Sequence, residues 1–197
     1  MICYLVRHGK DDDTLRGGWS QQPLTEAGKA QAMELAGFVE RNDLKIKHIY
    51  SSDLPRAVQT AQPVADQLQL PILPMPGFRE VNNGDLAGMK NEQANKIYPG
   101  LFWNTLGWEE PYPGGESPRA FYERISTAWD AFQKRILEQN ENALLVTHGG
   151  VIQVILAIVN HQKYSNKIAM RKIRNAEIIA LEFQENEWAE IMKEWQK

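Results

Sequence analysis

The chain has 197 residues, of which 43% are hydrophobic and 24% charged, with a formal net charge of −3. That length supports one domain with a real core, and the balance is that of an ordinary globular protein. The weak negative charge excludes general attraction to nucleic acid or to an anionic membrane surface.

The first residues, Ile2 to Val6, read as a short buried strand that stops at Arg7-His8-Gly9. The apolar run is too short for a signal peptide. The longest apolar block, Val151 to Val159, is interrupted by Gln153 and falls far short of the ~20 residues that span a bilayer. The single cysteine, Cys3, has no intramolecular partner, and with the missing leader this predicts a cytoplasmic setting.

A polar, glycine-rich loop covers roughly residues 9–24. Thr25 then caps a helix whose Ala32, Leu35, Ala36 and Val39 share a face, and which ends near Arg41-Asn42. His48 to Ser52 reads as a second strand. Ser52 or Asp53 is expected to cap the next helix, with Pro55 in its first turn. Ala57, Thr60, Ala61, Val64, Ala65 and Leu68 form its apolar stripe. Arg56 therefore stands in a first turn just past a strand tip, as Arg7 and His8 do.

Leu70 to Phe78 is proline-rich and extended, a short third strand leading to Arg79-Glu80. Asn82-Asn83-Gly84 signals a turn. Residues 90–115 read as an insertion over the sheet edge, with a short helix over Asn91 to Tyr98. Ser117-Pro118 starts a long helix, whose buried face is Phe121, Ile125, Ala128, Trp129, Phe132 and Ile136. Ala143 to Thr147 is a buried strand that ends in His148-Gly149-Gly150, and Val151 to Val159 is the following helix. Ala176 to Phe183 and Trp188 to Glu194 form a closing strand pair with a turn near Glu185-Asn186. Strands alternating with helices predict an α/β fold, a mostly parallel central sheet flanked by helices, over residues 1–197 as one domain.

Strand-to-loop junctions thus carry Arg7-His8, Arg56, Glu80 and His148. In open parallel sheets such junctions converge on the ligand crevice. Two arginines and two histidines suit a tetrahedral oxyanion, phosphate above all, and a carboxylic acid supplies a proton. Fixed arginines also keep a nearby imidazole neutral, the form that attacks.

These segments resemble the histidine phosphatase superfamily, also called phosphoglycerate mutase-like. The matching stretches are Arg7-His8-Gly9, Pro23 to Gly28 with Gln31-Ala32, Ser51 to Leu54 with Arg56-Ala57 and Gln59 to Ala61, Phe78-Arg79-Glu80 with Gly84 and Gly88, Gly114 to Ser117, and Thr147-His148-Gly149. They keep the family's order along almost the whole chain. The resemblance implies a phosphoglycerate mutase-like fold and a phosphomonoester hydrolase that needs no metal or other cofactor. His8 would be the nucleophile that takes the phosphoryl group. Arg7, Arg56 and His148, with Thr14 and Gly149, would hold its oxygens, and Glu80 would donate the proton. The implied partner is a small phosphorylated metabolite; a homodimer stays open.

The chain departs from the family where many members carry threonine and then asparagine, here Asp11 and Thr14. A carboxylate pointing inward at Asp11 would repel phosphate, so Asp11 is expected to point out or the loop to differ in shape. Asp11-Asp12-Asp13 reads as a solvated acidic loop, with cation binding or selection against polyanions as the sharper readings. Trp103, Trp108 and Tyr112 are either a satellite core or an apolar wall for a leaving group. Glu116 either caps the long helix or touches the pocket, and Asp85 is the fallback acid. His48 and His161 read as structural or exposed.

Three functions compete: a phosphatase, a mutase that returns the phosphoryl group to its substrate, and a phosphate-binding module without turnover. Between residues 91 and 115 the only basic residue is Lys96, against Glu92, Glu109 and Glu110. Excess negative charge there opposes a doubly phosphorylated ligand and favours the phosphatase.

Overall fold

The computed structural model describes residues 1–168 and 171–191. Among these residues, six strands form one sheet in the order β3-β2-β4-β1-β5-β6. They are β1 (Ile2–Arg7), β2 (Ile46–Ser51), β3 (Ile72–Pro74), β4 (Asn142–Thr147), β5 (Ile178–Gln184) and β6 (Glu187–Ile191). The β3-β2, β2-β4 and β4-β1 pairs are parallel, and β5 and β6 add an antiparallel edge. The expected architecture is present. Residues Met192 to Glu194 of the expected last strand lie outside the described residues.

Alternation along the strands divides the core between the two faces. Cys3 and Leu5 of β1 pack with Tyr50, Leu145 and the apolar faces of α4 (Pro118–Gln139) and α5 (Gly149–Val159). Tyr4 and Val6 face the other way, onto α1 (Glu26–Arg41) and α2 (Pro55–Leu68) through Leu35, Val39, Ala61 and Val64. Shifting β1 by one residue would exchange these sets, so the register is fixed by burial.

That register sets the neighbours at the strand tips. Arg7 pairs with Thr147, and His8 N–H donates to Thr147 O at 2.9 Å. Ser51 pairs with Val146, and Ser52 N–H donates to Val146 O at 2.9 Å. His8, Ser52 and His148 are thereby placed side by side.

Thr25 caps α1, accepting from Gly28 N–H, and Ser117 caps α4, accepting from Ala120 N–H. The cap of α2 differs from expectation. Its N-cap is Leu54, without a side-chain hydrogen bond, because Ser52 is engaged with His148 and Asp53 with Arg79.

The 90–115 stretch opens with α3 (Asn91–Ile97). Leu106 and Tyr112 pack there with Leu86 in a small satellite core, with Trp103 against it. Asn166 ties the stretch down by donating to Trp103 O (2.7 Å) and Leu106 O (3.0 Å). Trp108 is 39% exposed and leans on Tyr122 and Tyr164. Glu185 and Asn186, both at positive φ (51° and 68°), make the tight turn between β5 and β6. Among the described residues no helix is long and apolar enough to cross a membrane.

Candidate active site

The loop after β1 leaves the sheet through a close crossing with α1. A Cβ on Gly9 would lie 2.6 Å from Gly28 O, and one on Gly28 would lie 2.1 Å from Lys10 O. Only glycine at both positions allows that approach. Gly9 N–H also donates to Thr60 Oγ1 at 2.9 Å, which locks the loop to α2.

His8 is 4% exposed. Its Nδ1 lies 2.7 Å from Gly9 O. A carbonyl only accepts, so Nδ1 carries the proton and Nε2 keeps its lone pair. Arg56 Nε–H donates toward that nitrogen at 3.3 Å. Burial first, then the charges of Arg56 and Arg7, pull the His8 pKa down to about 3, against a hydrogen bond to Gly9 that works the other way. His8 is a neutral imidazole at any pH near neutrality.

Arg56 is 1% exposed. Other N–H groups of its guanidinium donate to Gly18 O (2.7 Å), Ser20 O (3.1 Å) and Ser20 Oγ (3.4 Å). Backbone carbonyls of the 9–24 loop thus orient a charge that α2 delivers. Desolvation lowers its pKa, while the charges of Asp11 and Glu80 act the opposite way.

His148 is fully buried, with its ring 5.1 Å from that of His8. Its Nε2 shares a 2.8 Å hydrogen bond with Ser52 Oγ, and its Nδ1 has no partner among the described residues. Burial first, then Arg56, His8 and Arg7, hold its pKa well below the usual histidine value. Arg7 NH1 donates to Ile173 O at 2.7 Å, while its buried Nε has no partner among the described residues. Gly149 opens α5 directly beside Arg7 Nε.

Glu80 comes from the segment after β3. Its Oε2 accepts from Gly150 N–H and its Oε1 from Val81 N–H, each at 3.1 Å. A Cβ on Gly150 would lie 2.4 Å from Glu80 Oε1. The backbone of Glu80 is held from behind: its carbonyl accepts from Trp19 Nε1–H (2.7 Å) and Arg124 NH2 (3.1 Å). Glu80 is not a partner of Arg79, whose guanidinium engages both oxygens of Asp53 at 2.6 and 2.5 Å.

The structure brings Arg7, His8, Arg56, Glu80, His148 and Gly149 to one edge of the sheet. Thr14 does not join them. It is exposed, and both its hydroxyl and its N–H donate to Asp12 Oδ1, at 2.7 and 2.9 Å. The local Asx geometry wins over a reach toward the pocket. Of the two expectations for Asp11, the outward orientation fails. Its carboxylate points inward, 3.5 Å from Arg56 Nε, with its side chain 19% exposed. Asp13 faces Lys10 across 3.2 Å.

Glu116 neither caps α4 nor enters the cluster. It grips Arg124 at 2.6 and 2.9 Å and accepts from Asn82 N–H at 2.8 Å. Arg124 in turn donates to Gly77 O, Arg79 O and Glu80 O. Asp85 is exposed, and His48 and His161 pair with Glu141 and Glu187 away from the cluster. Sequence reading missed Asn175, whose Nδ2 donates to His8 O at 3.1 Å from a loop 167 residues away in the chain. Ala176, expected to begin the closing strand, lies before β5, and its N–H donates to Arg7 O at 2.9 Å.

A cluster of neutral imidazole, guanidiniums and an unpartnered ring nitrogen can hold a tetrahedral dianion against a nucleophile. Residues 3–195 match the model of the histidine phosphatase superfamily (branch 1). A relative, "Uncharacterized phosphatase PhoE" of Bacillus subtilis (strain 168), is 30% identical over 95% of this chain and 90% of its own. "Phosphoglycerate mutase-like protein 4" of Arabidopsis thaliana is 34% identical over 76% of this chain and 66% of its own. The native structure of a mycobacterial glucosyl-3-phosphoglycerate phosphatase superposes with a TM-score of 0.80 at 25% identity, covering 96% of both chains.

Proposed function

The chain belongs to the histidine phosphatase superfamily, and we propose from the geometry of His8 that it hydrolyses a small phosphomonoester through a phosphohistidine. The observation that carries this is the pair of contacts on one imidazole: Nδ1–H fixed on Gly9 O, and the Nε2 lone pair facing Arg56. A neutral nucleophile thus stands beside a guanidinium without needing to lose a proton first.

In this reading Nε2 attacks phosphorus while Arg7, Arg56 and His148 stabilise the oxygens of the transferring group. The P–O bond to the leaving group breaks, and the Glu80 carboxyl gives its proton to the departing alkoxide. The N–P bond so formed is then attacked by water. The Glu80 carboxylate takes one water proton, phosphate leaves, and His8 and Glu80 return to their first states. No step calls on a metal. Ser52 and Asn175 are positioning residues, holding His148 and the His8 backbone.

Mutase chemistry would need a second anion held near the first. Across residues 91–115, Lys96 is already paired with Glu92, while Glu109 is met by Arg119 outside the stretch. This supports hydrolysis over transfer back to a phosphorylated product. The buried lone Cys3 fits a cytoplasmic location.

The test is hydrolysis of p-nitrophenyl phosphate by wild type and His8→Ala with a chelator present. We expect turnover in the wild type alone. Activity that persists in His8→Ala, or that the chelator removes, overturns the reading.

A further inference from the structure

The Asp11 carboxylate lies against the guanidinium that the proposed reaction needs. Its Oδ2 is 3.5 Å from Arg56 Nε, and that same nitrogen is 3.3 Å from His8 Nε2. The arrangement is built rather than incidental. Arg56 is clamped in place by Gly18 O and Ser20 O, so the guanidinium cannot turn away from Asp11. The backbone before Asp11 is held too: Lys10 N–H donates to Gln31 Oε1 at 2.8 Å and Lys10 O accepts from Thr25 N–H at 2.9 Å. Beyond it, Asp12 closes its own turn on Thr14.

Two consequences follow from charge. Arg7 and Arg56 are the guanidiniums of the cluster, and Asp11 cancels one of them before any ligand arrives. A dianion that settles on Arg56 also meets a carboxylate near its own oxygens. Like charges a few ångströms apart repel in water, and several times more strongly at a partly buried site. The penalty falls on whatever places most negative charge at this point. The phosphoryl group of a singly phosphorylated ester and free phosphate as product meet it alike, and an ester with a second anionic group beside its phosphate meets it more strongly.

We propose that Asp11 is a specificity-determining residue of this site: an internal competitor for Arg56 that weakens the hold on inorganic phosphate and selects esters bearing a single phosphate. This rests on the proposed function above and narrows its substrate class. Weak retention of phosphate speeds release of the product. An ester whose leaving group is neutral or cationic close to the phosphate pays least against Asp11.

The test measures inorganic phosphate binding by calorimetry, and by competition against p-nitrophenyl phosphate, in wild type, Asp11→Asn and Asp11→Ala. Circular dichroism checks that each variant is folded. We expect both variants to bind inorganic phosphate at least tenfold more tightly than wild type. Wild-type turnover of p-nitrophenyl phosphate with unchanged or weaker phosphate binding in both variants overturns the role of Asp11 alone. Absence of both turnover and phosphate binding in all three proteins overturns the phosphatase reading together with it.

Discussion

Arg56 Nε–H approaches His8 Nε2 at 3.3 Å while both side chains are almost wholly buried. The guanidinium is an oriented donor at the point where a phosphoryl oxygen would arrive. Arg56→Lys keeps the charge but loses the planar fork that spans Gly18, Ser20 and His8. We expect kcat/KM for p-nitrophenyl phosphate to fall about 10²–10³-fold in Arg56→Lys, comparable to the loss of one oxyanion donor. Steady-state kinetics check this; a loss below about threefold would remove Arg56 from the chemistry.

Stability should depend on acid through His8. Its folded pKa of about 3 lies below the unfolded value of ~6.5, so between them the unfolded chain binds more protons. Stability is then complete above about pH 6.5 and declines as pH falls toward 3. His8 alone contributes up to roughly 5 kcal/mol across that window, and His148 acts in the same direction. Urea unfolding of wild type and His8→Asn between about pH 4.5 and 7.5 checks the sign. The variant should show a flatter dependence.

Gly150 decides where Glu80 can stand. Since a Cβ there would come within 2.4 Å of Glu80 Oε1, Gly150→Ala should push the carboxyl aside. General acids contribute typically ~10²–10⁴-fold, and they matter most for poor leaving groups. We expect Gly150→Ala and Glu80→Gln to slow an alkyl phosphate at least tenfold more than p-nitrophenyl phosphate. Equal slowing on both would show that Glu80 is not the proton donor.

Arg124 braces the same segment from the far side, through Glu116 and the carbonyls of residues 77, 79 and 80. Its side chain is 22% exposed, so the pair is partly screened. Arg124→Met should cost about 2–3 kcal/mol of stability, less than a fully buried pair. It should also slow alkyl phosphates more than p-nitrophenyl phosphate, which denaturation and paired kinetics together would reveal.

Much of this was legible in the sequence because strand tips are local. Apolar runs ending in Arg7-His8, Ser51-Ser52 and Thr147-His148 name residues whose neighbours are then set by a parallel register. The side-chain directions in the 9–24 loop were not legible. Thr14 turned to Asp12, and Asp11 turned to Arg56, because hydrogen bonds within a loop and a buried unneutralised guanidinium outweigh any pattern of spacing. Asn175 was invisible for another reason: its contact with His8 O depends on the antiparallel edge strand returning beside β1. Neither Ser52 nor Asp53 caps α2, because a cap is a local rule and their partners, His148 and Arg79, are remote in the chain.

A phosphohistidine on His8 can be tested by trapping the phosphoryl group on the protein. Wild type and His8→Ala would be quenched in alkali during turnover of p-nitrophenyl phosphate, with chelator present, and digested for peptide mass spectrometry. We expect a phosphoryl group on His8 in the wild type, and neither label nor turnover in His8→Ala. Turnover with no label on His8, continuing in the variant, would contradict it.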